Sequence, residues 1–378
     1  MTKYVLAPDS FKESMTAKEV CEAMSKGIKK ADPTADIISV PMADGGEGTV
    51  DSLVDATQGE KIPVVVTGPL GQKVKTYYGL LGDDKTAVIE MTKASGLEMV
   101  PKQKRNPLIT TTYGTGELVK DALKQGVKKI VVGLGGSATN DGGAGMAQAL
   151  GIHLLDKNNH ELPIGGGALK QLSKIDTNNL IPQLKDCKII LASDVTNPLT
   201  GPNGASAVFG PQKGATNAMV KELDNNLHHY AKIINHDLHK NIEKLPGAGA
   251  AGGLGAGFMS FTNYEMHKGV EIAIKITKLA DKVKNADYIF TGEGGTDFQT
   301  KFGKTPFGVA QLGQKYHKPV ISLAGFLGKG IDTLYDSGFT AFFSILPGAC
   351  DLPTALHNGP KNITRTTENI VRLLKIIK

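Results

Sequence analysis

The chain has 378 residues, 40% of them hydrophobic and 21% charged, with a formal net charge of +6. That balance suits a globular protein with a sizeable core, and length alone suggests two domains of about 150–200 residues each. With no Trp and only 6% aromatic residues, a stacking nucleic-acid surface is not expected, while a weakly basic chain suits small anionic substrates.

Glycine is unusual: 46 residues, set in clusters between periodic segments rather than in a collagen-like repeat. Such clusters point to turns where backbone itself meets a ligand or another backbone. Cys21, Cys187 and Cys350 lie far apart without metal or redox spacing and read as reduced thiols. The longest uncharged run, Leu245 to Tyr264, holds too much Gly and Pro for a membrane helix, and no signal-peptide layout precedes the first strand. A cytoplasmic protein with no membrane partner is the expectation.

Lys3 to Ala7 reads as a first strand, followed by the polar loop Pro8 to Ser14. Thr16 and Glu19 match a capping box, and Val20, Ala23, Met24 and Ile28 give the apolar stripe of a helix that Asp32-Pro33 ends. Open α/β sheets bind ligands at the carboxyl ends of parallel strands, which makes Asp9 and Lys12 site candidates unless the loop is simply solvated. Ile37 to Val40 repeats the layout and opens into Asp44-Gly45-Gly46-Glu47-Gly48 before another helix. Asp44 and Glu47 suit a Mg²⁺ site, a proton acceptor for a substrate hydroxyl, or a helix cap.

From Ile62 the texture becomes short strands joined by Gly turns, an antiparallel meander, with a domain boundary near residue 66. The apolar run Lys129 to Val132 is a buried strand that enters the glycine-rich turn Gly133 to Gly145, and a helix follows to Leu150. Strand, glycine turn and helix start together form an anion cradle, or else a tight turn without ligand. Gly135 and Gly136 let backbone come close there, and Ser137, Thr139, Asn140 and Asp141 add side chains. Lys188 to Ala192 is a further buried strand, ending in Asp194 and Asn197, which suit either oxygen ligation of a metal or an Asx-type turn before Pro198.

Gly210 to Gly214 reads as a polar turn, and residues 215–239 as an amphipathic helix whose His228, His229, His236 and His239 are solvated rather than metal-binding. A second glycine cluster runs from Gly247 to Gly257. Near residue 285 the strand–loop–helix texture returns with Asp287 to Thr291, Gly292 to Asp297, and a helix capped by Thr305 ahead of Pro306. Gly303-Lys304-Thr305 ends like a Walker A motif, but Phe298 stands where its leading glycine belongs. Since both ends read alike, residues 1–65 and 285–378 are expected to form one discontinuous α/β domain, with residues 66–284 inserted.

Polar turns carrying carboxylates, amides and lysines, without a catalytic Cys–His pair or zinc spacing, are the equipment of phosphoryl transfer. Asp9-Ser10-Phe11-Lys12, Asp44 to Gly48, Gly133 to Gly145, Ser193 to Leu199 and Thr291 to Gly294 together resemble the motifs of the class I glycerate kinase family, in order and along the whole chain. The resemblance implies two α/β domains, a discontinuous one from both termini and an inserted flavodoxin-like central one, with the active site in a cleft between them. It implies ATP- and Mg²⁺-dependent phosphorylation of D-glycerate, a small-molecule reaction, with the 2-phosphate ester favoured as product. Lys12 and the turn around Ser137 would hold anionic groups. Asp44 or Asp194 would ligate Mg²⁺ or accept the hydroxyl proton, and Asp297 is a third candidate for either role. Asp9, Ser10, Glu47, Gly135, Gly136, Ser137, Asn140, Asp141, Asn197, Glu293, Asp297 and Gln299 would contact substrate or phosphate. The chain departs from the family's Gly-Glu-Gly-Arg-Ile-Asp pattern at Gly295 and Thr296, where a cation is lost. A kinase for a related small hydroxy acid and a non-catalytic sensor of such acids or nucleotides are the alternatives.

Overall fold

The computed structural model describes residues 1–377. Its strands in chain order are β1 (Lys3–Leu6), β2 (Asp36–Ser39), β3 (Glu60–Thr67), β4 (Lys73–Leu80), β5 (Thr86–Glu90), β6 (Lys129–Gly133), β7 (His153–Leu155), β8 (Lys174–Asp176), β9 (Lys188–Ala192), β10 (Asn263–His267), β11 (Tyr288–Thr296), β12 (Val320–Leu327) and β13 (Ala341–Ser344). The chain forms two compact units. The first comprises Met1–Asp44, Asp51–Gly59 and the chain from Lys268 on; the second comprises Gly45–Val50 and Glu60–His267. Because β3 pairs with β4 along its full length, from Glu60↔Leu80 to Thr67↔Lys73, residues 60–65 go with the second unit, against a boundary at 66.

The first unit is built on a five-stranded, all-parallel sheet in the order β13-β12-β11-β1-β2. Counted within the unit, this is the flavodoxin-like order, reversing direction between β1 and β11. The flavodoxin-like order thus belongs to the unit containing both termini and not, as expected, to the inserted one. The buried runs of β1 and β11 put Tyr4, Leu6 and Phe290 into one core with Val20, Met24 and Ile28 of helix Ala17–Ala31. Thr16 and Glu19 close the capping box at that helix's start, and Asp32 caps its end. Gly27 lies where helix Gly359–Ile377 crosses, since a Cβ there would fall 2.4 Å from Thr364 O.

The second unit carries a six-stranded mixed sheet in the order β10-β9-β6-β5-β4-β3. β5, β6, β9 and β10 are parallel neighbours, whereas β3 and β4 pair antiparallel as the meander pattern predicts. Ile89, Val132 and Leu191 of its central strands pack with Leu118, Met146 and Phe258. The stretch 151–186, unreadable from periodicity, contains the antiparallel pair β7 and β8 and short 3₁₀ turns.

Candidate functional site

In the first unit, the carboxyl ends of β1 and β11 meet where the strand order reverses, the position at which open α/β sheets bind ligands. Asp9 follows β1 and is tied to β11 by its N–H, which donates to Gly292 O at 2.9 Å. Its Oδ1 accepts from the Ser10 N–H at 2.7 Å, and its Oδ2 from the Thr305 hydroxyl at 2.5 Å. Thr305 is therefore not the helix cap that its sequence context suggests. Lys304 holds the cap position with extended backbone and no side-chain bond, and Thr305 is the first residue of helix Thr305–Lys315. Pro306 in the first turn has no N–H for a cap to satisfy, which leaves the threonine hydroxyl for Asp9.

Glu293, on β11, is 8% exposed. Its Oε1 accepts from Thr300 Oγ1 at 2.7 Å and Thr296 Oγ1 at 3.2 Å, and its Oε2 accepts from Lys304 Nζ at 2.8 Å. The Lys304 ammonium also donates to Gly295 O at 3.3 Å. Both oxygens of this buried carboxylate are thus engaged, with a lysine beside it. Asp9 is different. Burial, then the negative charge of Asp44, and more weakly Glu293, push its carboxyl up to about 7, against the bonds from Thr305 and Ser10. A carboxylate poised near neutrality at a switch point is a candidate for proton transfer.

Other expected residues of this unit divide. Asp44 is half-buried beside Asp9, as the electrostatics require. Lys12 is exposed and its ammonium makes no hydrogen bond or ion pair among the described residues, while its backbone passes Gly294, where a Cβ would lie 3.6 Å from Lys12 N. Asp297 caps the turn Phe298–Lys301, accepting from Gln299 N at 2.8 Å, and Gln299 contributes that N–H with its side chain outside. A Cβ at Gly295 would meet nothing within 4 Å, so the family's longer residue is missing there without a steric reason.

In the second unit, β6 runs into the glycine turn, with Gly136, Gly142 and Gly143 at positive φ, and helix Ala144–Ala149 follows. The N–H groups expected to cradle an external anion are taken from within. Asp141 accepts from Gly143 N at 3.1 Å, Gly145 N at 3.3 Å, Thr112 N at 2.8 Å and Thr112 Oγ1 at 2.9 Å, while Met146 N donates to Thr112 Oγ1 at 3.0 Å. Burial raises the Asp141 carboxyl and these donors oppose it. Asp141 is fully buried and accepts its hydrogen bonds from its own turn and helix start and from Thr112, as an internal cap does. Asn140 is likewise buried, its Nδ2 donating to Ser206 Oγ at 2.8 Å.

The second glycine cluster backs the first. Ala251, Gly252 and Gly253 all have left-handed backbone, Gly142 N donates to Gly252 O at 3.1 Å, and a Cβ on Gly252 would fall 1.9 Å from Thr139 O. What the turn leaves accessible is Gly135 and Gly136, with Ser137 buried next to them: a Cβ at Gly135 would meet no atom within 4 Å. Ser137 accepts from Lys213 Nζ at 2.8 Å. Lys213, read as part of a polar turn, is 2% exposed, and burial lowers its amine to about 7 while Asp141 pulls the other way. Nothing in periodicity marks a lysine between Pro211 and Gly214 as inward-facing.

Asp194 is exposed after β9, and Asn197 pins its loop by donating from Nδ2 to Asn203 O at 2.8 Å. Glu47 is exposed in the segment 45–50, where Val50 N donates to the buried Glu90 Oε1 at 2.8 Å, a cap not foreseen. Among the described residues no three His, Cys, Asp or Glu side chains group as a ready metal site. The helix histidines pair separately, His228 with Glu243 at 2.7 Å and His229 with Leu172 O at 2.7 Å. Cys21 and Cys187 are buried, Cys350 is exposed, and all three are free thiols. No helix of the described residues is long and apolar enough to cross a membrane.

Comparison with known proteins returns one family. Residues 4–375 match the Glycerate kinase family. The Glycerate 2-kinase of Escherichia coli K12 is 51% identical over 374 residues, covering 99% of this chain and 98% of that one. The Glycerate kinase of Halalkalibacterium halodurans is 51% identical over 370 residues, covering 98% and 97%. A crystal structure assigned as glycerate kinase 2 of Salmonella typhimurium LT2 superposes with a TM-score of 0.91 at 47% identity, covering 100% of this chain and 99% of that one.

Proposed function

We propose that this chain, which belongs to the glycerate kinase family and is a kinase, transfers the γ-phosphoryl group of ATP to the 2-hydroxyl of D-glycerate, releasing ADP and 2-phospho-D-glycerate. The observation that carries the reading is Asp9: a carboxyl raised to about 7, held by Thr305 and Ser10 at the switch point of a parallel sheet. Near neutral pH it accepts the hydroxyl proton as the glycerate oxygen bonds to the γ-phosphorus and the bond to the ADP oxygen breaks. The choice of the 2-hydroxyl is supported by the name of the Escherichia coli relative.

Mg²⁺ fits this place. Asp44 lies close enough to Asp9 for its charge to raise the neighbouring carboxyl, a repulsion that a cation relieves. Mg²⁺ takes one or two carboxylates and keeps waters and phosphate oxygens for the rest, so Asp44 would hold it without a three-residue cage. When bound, the ion supplies neutralisation of charge on the transferred phosphoryl group. Exposed Lys12, on the loop after Asp9, supplies a free cation for an anionic oxygen of either substrate. We also take the enzyme to be cytoplasmic, a reading supported by its free thiols.

The reading is tested by ADP release from Mg·ATP with D-glycerate, L-glycerate and tartronate in parallel. Release that depends on D-glycerate is expected. Preferred turnover of another acid, or ADP release independent of any acid, would contradict it. A second result follows from the Asp9 contacts. Thr305→Val removes a hydrogen bond that favours the charged carboxylate, and the acidic limb of kcat/KM should move up by about 1–2 pH units. An unmoved limb would show that Thr305 does not tune the essential base.

A further inference from the structure

The reaction as described makes no use of Lys213. Its Nζ donates to Ser137 Oγ at 2.8 Å and to Thr139 O at 2.6 Å from inside the second unit. In its charged form Lys213 only donates, so Ser137 Oγ then receives, and its own hydrogen is left to go elsewhere. Among the described residues no acceptor takes that hydrogen. Ser137 follows Gly135 and Gly136, the accessible part of the turn, with open space at Gly135. Two neighbouring polar atoms, Thr139 Oγ1 and Asn140 Oδ1, are fully buried and also lack partners. Unused polar capacity buried at one turn is costly unless something outside the chain uses it.

We propose that Lys213 is a positioning residue that locks Ser137 so that its hydroxyl donates to an anionic oxygen, of a carboxylate or a phosphate, lying over Gly135 and Gly136. This rests on the kinase reading only for the identity of the anion. A carboxylate oxygen would come from D-glycerate and a phosphate oxygen from the nucleotide.

The test is a double-mutant cycle of Lys213→Met and Ser137→Ala, read by calorimetric binding of D-glycerate and, separately, of ADP. At pH 6, below the value of about 7 to which burial lowers the Lys213 amine, the lysine is a donor only. Each single variant is expected to weaken one of the two ligands about tenfold or more and to leave the other within about twofold, because a hydrogen bond to a charged group is lost. The double variant should be no weaker than Ser137→Ala alone. Loss on the D-glycerate arm identifies a carboxylate, and loss on the ADP arm a phosphate. Equal loss on both arms, additive losses, no loss, or a wild type that binds neither ligand would each overturn the proposal. If Lys213→Met does not fold, Lys213→Gln takes its place in the same cycle. Turnover of wild type at pH 8 keeps the two readings apart. D-glycerate-dependent turnover with an additive cycle overturns the role of Lys213 alone. A coupled cycle without turnover overturns the kinase reaction alone.

Discussion

Replacing Asp9 with Asn is expected to lower kcat with Mg·ATP and D-glycerate by about 10²–10⁴-fold, with a much smaller change in KM. In wild type, kcat/KM should rise with pH through about 7, because the protonated carboxyl cannot accept the hydroxyl proton and burial with Asp44 alongside holds its pKa there. The variant should show low activity without that limb. Stability separates this from misfolding. The folded state raises the carboxyl from 3.8 to about 7, so between those values it binds more protons than the unfolded chain, and wild-type stability falls as pH rises across that window. Asn carries no such dependence, so Asp9→Asn should melt no lower than wild type at pH 8. Turnover within a few-fold of wild type would remove Asp9 as the base and return attention to Asp44.

The second large effect is on stability. Gly252→Ala places a Cβ at φ +69°, about 1.9 Å from Thr139 O and 2.7 Å from Thr139 C, both backbone atoms of the Ser137 turn. A left-handed alanine costs about 1–2 kcal/mol, and displacing packed backbone about 1–3 kcal/mol more. Thermal denaturation should fall by roughly 5–15 °C. Gly135→Ala is the control: its Cβ meets nothing within 4 Å and the residue is not at positive φ, so melting should be unchanged within error. If anions approach the turn at that point, this control should still weaken their binding. A Gly252→Ala protein that melts like wild type would mean the two glycine clusters do not support each other as described.

These two positions also show what the chain reveals before folding and what it does not. Asp9 is recognisable as a candidate because strand, polar loop and capped helix are local patterns, and open α/β sheets bind ligands at the ends of parallel strands. Its partner Thr305 lies 296 positions away in the chain. The sequence around it spells a helix cap, and only the meeting of β1 with β11 turns its hydroxyl toward a carboxylate. Gly247 to Gly257 stood out as glycine-rich, but a cluster that admits a ligand and one that admits another backbone look the same in sequence. For the same reason the sequence does not reveal that Asp141, in a turn shaped for anions, is buried and bonded to that turn's own N–H groups. Lys213 and Glu90 were silent, since inward orientation of a charged residue is set by tertiary packing and leaves no periodic trace. The order of strands was also out of reach, which is why the flavodoxin-like arrangement was expected in the wrong unit.

The most direct test of the proposed reaction is the ³¹P NMR spectrum of the product formed from Mg·ATP and D-glycerate, recorded with and without proton decoupling. A phosphate ester signal split by a single carbon-bound proton, appearing in step with ADP, is expected for 2-phospho-D-glycerate. A signal split by the two protons of a CH₂ group would assign the 3-phosphate and contradict the regiochemistry. The absence of any new ester while ADP accumulates would contradict transfer to glycerate altogether.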